Sequence, residues 1–435
     1  MFNNKINSKL FFISLLTLSF SFSSFAQEVE EVVVTATKKE ESTQDIAISV
    51  EAFTSDMLDS EQIFDLSDLT EVVPGFGYGK GIGSGSSFQM RGIGSYGIGA
   101  AVVSSLVTNI NGHSVGTGQF VDLGFMDIER VEVLKGPQGT LNGRNSVQGV
   151  VNLITKRPTS EMGGYVDIES GNFDRTLIKG AINIPISDNI SSRVAFMSNQ
   201  RSGMVHNANT GNDYDDRNDT GIRLSIDWNL SDITDLKLTY SGQKSDDNRP
   251  QEEVSFCAQD QFFGCSPYSR GGMNQAADTR GHVAGLFGFY SLIDPGTIVN
   301  KYGPSLAGRF DTLYLDREPT HYQESEVTNL ELTHELNDDV QMIVKYTYST
   351  RDFHQMNDND GSVSNVSLLG VGAALGLPPV EANVCFGGDF QFCEMANSDR
   401  TYDFSDVETE NKQAEINFVS NFDDSFNYTF GYYWY

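Results

Sequence analysis

The residues best spaced to do chemistry are the four cysteines, Cys257 with Cys265 and Cys385 with Cys393, each pair eight positions apart. In an exported chain such pairs read as two local disulfides. Zinc would need histidine or a tighter cysteine spacing nearby, and the six histidines are scattered from His113 to His354. Two acidic runs, Asn212-Asp213-Tyr214-Asp215-Asp216 and Asn357-Asp358-Asn359-Asp360, offer oxygens to a hard cation. Their spacing is not that of an EF-hand, and solvated loop charge explains them better. Gly92-Ile93-Gly94-Ser95-Tyr96-Gly97 matches G-x-G-x-x-G, but it follows no clean strand and opens no helix with an acidic residue at the right distance. Lys80 is followed by Gly81, so it is not a Walker lysine. With no G-x-S-x-G elbow and no H-E-x-x-H helix, the residues point away from an enzyme. No metal and no cofactor are expected.

What must position these groups is set first by export. Lys5 and Lys9 precede the apolar run Leu10 to Phe22, and Ser24-Phe25-Ala26 stands before Gln27. That order is a secretory signal peptide, residues 1–26. The whole chain carries 29 Lys plus Arg against 59 Asp plus Glu, a formal charge of -30, which argues against nucleic acid as a partner. Mean hydropathy is -0.30 and no second run of about 18 apolar residues exists, so no membrane helix is expected. Aromatics nevertheless reach 11 %, which leaves a soluble all-β protein or a membrane β-barrel.

Behind the cleavage site, EVEEVVVTATKKEES holds a β-branched run, Val32-Val33-Val34-Thr35, bracketed by charges. A short strand in a charged tail can add to another protein's sheet edge through main-chain hydrogen bonds. It can equally be the first strand of the next domain, and composition does not separate the two. From 163 onward the apolar period becomes two: Ile222, Leu224, Ile226, Trp228 and Leu230 alternate, as do Val340, Met342, Val344, Tyr346 and Tyr348. A dry sandwich and a lipid-facing barrel share this pattern. Connection lengths favour the barrel. Strands at about 163–172, 175–186, 190–202, 218–230, 234–246, 323–336, 339–352, 408–421 and 425–435 leave short turns near Ser187-Asp188, Ser231-Asp232, Asn337-Asp338 and Asp423-Asp424, opposite mostly long connections.

The stretch from Asp127 to Pro158, DIERVEVLKGPQGTLNGRNSVQGVVNLITKRP, closely resembles the end of the plug domain of TonB-dependent outer-membrane receptors. The resemblance extends upstream through Pro74-Gly75-Phe76 and Met90-Arg91-Gly92-Ile93, and Glu30 to Thr37 looks like that family's TonB box. One departure is Asn111-Gly112, where many relatives have Asp-Gly, and either dipeptide suits a hairpin turn. The resemblance implies a mixed α/β plug, residues 41–160, seated inside an antiparallel transmembrane barrel, residues 161–435, with residues 27–40 as the energy-coupling segment. Full barrels of this family have about 22 strands, so nine imply a fragment.

The site residues implied are Glu31, Val32, Val33, Val34, Thr35 and Ala36 in the TonB box, and Arg91, Gly92, Glu132, Gly136, Pro137, Gly143, Arg144 and Asn152 in the plug motifs. Family arginines meet glutamates on the barrel wall, so Arg91 and Arg144 are expected to pair with Glu331 and Glu415, which strand parity turns to the lumen. The partners implied are TonB with its inner-membrane energising proteins, outer-membrane lipid, and a small-molecule ligand such as an iron chelate. The function implied is energised import of a scarce nutrient, first a ferric siderophore, otherwise cobalamin, haem or a saccharide. An adhesive surface receptor without transport and a passive pore are the competing classes.

Overall fold

The structure is a computed structural model that describes residues 33–35, 38, 41–42, 46–80, 86–94, 104–115, 125–249, 256–257, 269–270, 312–313, 315, 318–358, 384–386, 390–394, 401–422 and 426–435. The signal-peptide reading, with Glu31, Val32, Ala36 and Cys265, lies outside these residues.

Ten short strands precede residue 163: β1 (Val33–Val34), β2 (Glu41–Ser42), β3 (Val50–Thr54), β4 (Phe76–Lys80), β5 (Ser86–Met90), β6 (Ile93–Gly94), β7 (Leu106–Ile110), β8 (His113–Ser114), β9 (Ile128–Lys135) and β10 (Gly149–Thr155). Five form one mixed sheet in the order β3-β9-β10-β7-β8, in which β10 runs parallel to β7 and antiparallel to β9. Strand alternation sorts its side chains onto two faces. Val131, Val133, Val151 and Leu153 point into the main core with Leu58, Leu66, Leu69, Phe76 and Phe88. On the other face Leu134, Val150 and Val107 pack against Val34, which is 1 % exposed. Both faces are therefore covered, as the nearly unbroken apolar run of β10 requires.

Between Ser55 and Val72 the chain forms two short helices, Ser55–Ser60 and Leu69–Val72, rather than one continuous helix. Gln62 adopts a positive φ of 57°, and the Asp65 carboxylate accepts the Ser67 N–H at 2.7 Å while Asp68 accepts that of Phe64 at 2.7 Å. Side-chain acceptors of this kind compete with the helical ladder, which is why aspartate and serine favour turns. The resulting turn seats Ile63 and Leu66 in the core.

Beyond residue 160 the elements are β11 (Gly163–Gly171), β12 (Arg175–Ser187), β13 (Ile190–Arg201), β14 (Val205–Asn207), β15 (Asp213–Tyr214), β16 (Arg217–Ser231), β17 (Thr234–Asp247), β18 (Phe256–Cys257), β19 (Ser269–Arg270), β20 (Thr312–Leu313), β21 (Thr320–Asn337), β22 (Val340–Asp358), β23 (Val384–Phe386), β24 (Phe390–Glu394), β25 (Thr401–Ser420) and β26 (Thr429–Trp434). Eleven of them form one antiparallel sheet, β11-β12-β13-β16-β17-β21-β22-β25, with β24, β23 and β26 attached beyond it. The nine expected strands are present, and the hairpin β23–β24 is added inside one of the long connections. The expected turn at Asp423-Asp424 lies outside the described residues. Strand β26 begins at Thr429 rather than 425, and before it Asn427 accepts the Phe422 N–H and donates to the Phe422 carbonyl.

Burial decides between sandwich and barrel. Ile182, Ile184, Ile222, Leu224, Trp228, Leu330 and Tyr346 are exposed, whereas Arg193, Arg223, Ser225, Thr239, Asn329, Thr347 and Gln413 on the opposite face are buried against the plug. Polar inside and apolar outside is the arrangement of a barrel whose outer solvent is lipid. Among the described residues no helix is long and apolar enough to cross a membrane.

Candidate functional site

The segment expected to couple to TonB packs against the plug. Val33 and Val34 pair antiparallel with Glu41 and Ser42, and Val34 closes the second core of the plug. Next to it, the Thr35 N–H donates to Glu132 Oε1 at 3.1 Å and the Thr35 hydroxyl donates to the same carboxylate at 3.3 Å. Glu132 is fully buried and also receives the Asn152 amide at 3.0 Å and the Arg130 guanidinium at 2.9 Å. A buried carboxylate is tolerable only with such partners. Glu132 and Asn152 are direct register neighbours on β9 and β10, so two residues of the plug motif hold Thr35, Glu132 through its backbone N–H and Asn152 through its hydroxyl.

The turn Asn111-Gly112, with φ of 54° and 72°, joins β7 to β8 as the dipeptide predicts. A Cβ at Gly112 would lie 3.0 Å from Lys345 Nζ, the movable end of a flexible side chain, so it is the positive φ of the turn that calls for glycine. Beyond the turn, His113 Nδ1 lies 3.1 Å from the Thr347 hydroxyl and Nε2 lies 3.7 Å from Glu331. Glu331 also meets Lys345 at 3.0 Å and Lys237 at 3.3 Å, while Lys38, four residues after Val34, meets Glu415 at 3.3 Å. Burial pushes the His113 imidazole down to about 4, so it is neutral at pH 7. Burial and the neighbouring Lys345 also lower the Lys38 ammonium.

The expected ionic cluster is thus corrected in its cations. Glu331 and Glu415 do face the lumen, but the plug-side groups that meet them are His113 and Lys38. Arg91 occupies the two-residue turn between β5 and β6 with φ of 54°, exposed, its N–H donated to the Gly75 carbonyl at 2.7 Å. Arg144 stacks over the Tyr435 ring at 3.7 Å. Gly136, with φ of 104°, donates its N–H to Gln148 at 2.8 Å beside Pro137, and Gly143 turns at φ 71° against the ring of Tyr433.

A second plug-to-wall contact escaped the sequence reading, with the charges reversed. Asp127, the first residue of the DIERVEV motif, receives a bidentate bond from Arg193 of β13 at 2.6 and 2.7 Å and the Tyr165 hydroxyl at 3.1 Å. Arg157 reaches Asp227 and the Thr239 hydroxyl. The signal was available: parity places Arg193 with Ala195 and Met197 on the lumen face. Cys385 and Cys393 are direct register partners across β23 and β24, while the Cys257 pair is only half described. His354 also sits between Asp352 at 3.0 Å and Asp406 at 3.1 Å on the outward face, a group able to hold a metal ion that neither acidic run had suggested.

Comparison with known proteins agrees with this architecture. Residues 42–150 match the family described as TonB-dependent receptor plug domain. The chain is 28 % identical over 290 residues to the iron-regulated outer membrane virulence protein of Vibrio cholerae, a match covering 62 % of the chain and 42 % of that protein. It is 32 % identical over 163 residues to the vitamin B12 transporter BtuB of Vibrio vulnificus, covering 37 % and 26 %. In fold it resembles the siderophore receptor PiuA of Acinetobacter baumannii, with a TM-score of 0.60 at 18 % identity over 93 % of this chain and 48 % of that one. The ferric yersiniabactin uptake receptor FyuA of Yersinia pestis gives a TM-score of 0.60 at 14 % identity, over 89 % and 48 %. The chain spans less than half the length of these relatives.

Proposed function

Because the chain carries the plug and barrel strands of a TonB-dependent outer-membrane receptor, we propose that the whole protein imports a scarce nutrient across that membrane with energy delivered by TonB, and that the nutrient is an iron chelate. In this reading residues 1–26 direct export, 27–40 couple to TonB, 41–160 plug the barrel and 161–435 contribute its wall. The observation that carries it is the docking of Val34 and Thr35 under the plug sheet, on the same short segment that ties Lys38 to the wall at Glu415. A pull on this segment acts at once on the plug core and on a plug-to-wall ion pair. A cavity of about 940 Å³ adjoins it at the short-turn end of the barrel and gives the segment room to leave.

Iron is supported by the relatives, whose names include an iron-regulated outer membrane protein and a ferric-pyoverdine receptor of Pseudomonas putida. The test of coupling is Val33→Pro in the full-length receptor. Proline removes the N–H that strand addition to TonB needs and fixes φ. Energy-dependent uptake of radiolabelled ferric chelate should fall to background while ligand binding at the cell surface persists. Energy-dependent uptake that survives the substitution would show that this segment does not couple the protein to TonB, and absence of energy-dependent uptake in the parent would return the protein to the adhesive or passive classes.

A further inference from the structure

A cavity of about 160 Å³ lies between the plug and wall strands β22, β25 and β26, nearer the short-turn ends of those strands. That is room for several waters, each of which takes roughly 30 Å³ in the liquid. Glycines open it. A Cβ at Gly139, whose φ is not positive, would meet nothing within 4 Å, and one at Gly431 would run into Asn417. Buried amides line it with groups left over. Gln413, 4 % exposed, accepts the Tyr433 hydroxyl at 2.9 Å through Oε1, and its Nε2 has no partner. Asn109, 3 % exposed, donates to Asn142 Oδ1 at 3.2 Å, which leaves Asn142 Nδ2 and Asn109 Oδ1 unpaired. Turning both amides over leaves the same count, one donor and one acceptor. Buried polar groups of native proteins find a partner in protein, water or an ion.

Charge selects the partner. Glu415 is taken by Lys38 at 3.3 Å and by the Asn417 amide at 2.8 Å. Glu331 is shared by Lys345 at 3.0 Å and Lys237 at 3.3 Å. Among the described residues these contacts join three ammonium groups to two carboxylates, which leaves one positive charge over. The His113 imidazole beside them reports that surplus. It is pushed down to about 4 chiefly by burial, and Lys345 and Lys38 lower it further although it touches Glu331. Water would answer the unpaired amides but not the surplus charge, and a buried charge needs a counter-charge close by.

We propose that this cavity binds a small inorganic anion, chloride or an oxyanion of phosphate size, which accepts the Gln413 and Asn142 amide protons, is balanced by Lys38 and Lys345, and so ties plug to wall. The Asn109 acceptor is left to a water beside it. The site does not depend on which nutrient is carried, or on import at all. The experiment melts the full-length receptor in detergent by calorimetry while gluconate is replaced, at fixed ionic strength, by chloride or by inorganic phosphate. The melting temperature should rise and saturate with one of the two, which identifies the anion, because a ligand of the folded state alone stabilises by mass action. Gln413→Leu should raise the anion concentration at half the rise roughly tenfold, since a hydrogen bond to a charged group is lost. Gly139→Leu fills the cavity from a short helix in which leucine is the better helix former, so it should fold, keep its melting temperature in gluconate and lose the anion-dependent rise. Lys38→Gln should lose the rise too, and Lys38→Arg should keep it. Equal melting in all three anions, a rise that never saturates as in a general salt effect, or a rise retained in either Gly139→Leu or Lys38→Gln means that the cavity holds only water and overturns the assignment. If Gly139→Leu does not fold, the Lys38 pair decides: equal rises in its glutamine and arginine forms overturn the site.

Discussion

At the scale of single residues, the plug is held to the wall by a few groups whose loss is sharply unequal. Asp127→Ala would leave Arg193 buried without its counter-charge, at a cost of about 3 to 5 kcal/mol, whereas Asp127→Ala with Arg193→Met removes both charges and should recover most of that loss. Guanidinium unfolding of the two variants side by side checks the difference. His113 makes a pH argument. Its folded titration, at about 4, lies below that of an unfolded histidine, so it stabilises the folded state fully above about pH 6.5 and progressively less as pH falls towards 4. Melting curves from pH 7.5 to 4 should show that decline, and His113→Asn should flatten it. Which charges would meet was only half legible in the sequence. Strand parity correctly turned Glu331 and Glu415 inward, because alternation is a local property. Their partners come from a hairpin tip and from Lys38, whose positions depend on how the plug is seated, and no local pattern encodes that.

At the scale of elements, the strand boundaries were read within a few residues wherever a two-residue polar turn separated two alternating runs. Elements built by side chains were not. The helices Ser55–Ser60 and Leu69–Val72 stay separate because Asp65 and Asp68 capture backbone N–H groups, and β26 starts late because Asn427 accepts the Phe422 N–H and donates to its carbonyl. The hairpin β23–β24 hid inside a long connection whose apolar pattern is too short to stand out. It now sharpens one expectation, since directly opposed residues of an antiparallel pair have Cα atoms about 4.5 to 5.5 Å apart, within the range a disulfide spans. Non-reducing peptide mapping of the exported protein should recover Cys385 joined to Cys393. Recovery of Cys385 joined to Cys257 would show that the two connections are cross-linked instead.

At the scale of the whole molecule, the chain inverts the usual relation between burial and polarity, and that inversion is what lets a polar-lined wall enclose the plug. The lumen side of β16 presents Arg223 and Ser225 to the plug, while Leu224 and Leu230 on its other side meet lipid. Sequence alone shows the alternation and cannot say which face is wet; the plug settles it by burying the polar one. The same geometry predicts a depth dependence that no soluble sandwich would show. Leu224 lies at the middle of β16, and Leu230 lies beside its short turn at Asp232-Ile233. Arginine at Leu224 should therefore cost about 2 to 4 kcal/mol of bilayer-folded stability, and arginine at Leu230 no more than about 1, since a charge near the interface reaches water. Guanidinium titrations of the full-length receptor folded into lipid vesicles would read both values. Equal costs at the two positions would mean that this face packs against protein rather than lipid. A large cost at Leu224 alone would fix the bilayer midplane on the wall, and with it the depth at which Glu331 and Glu415 meet the plug-side groups.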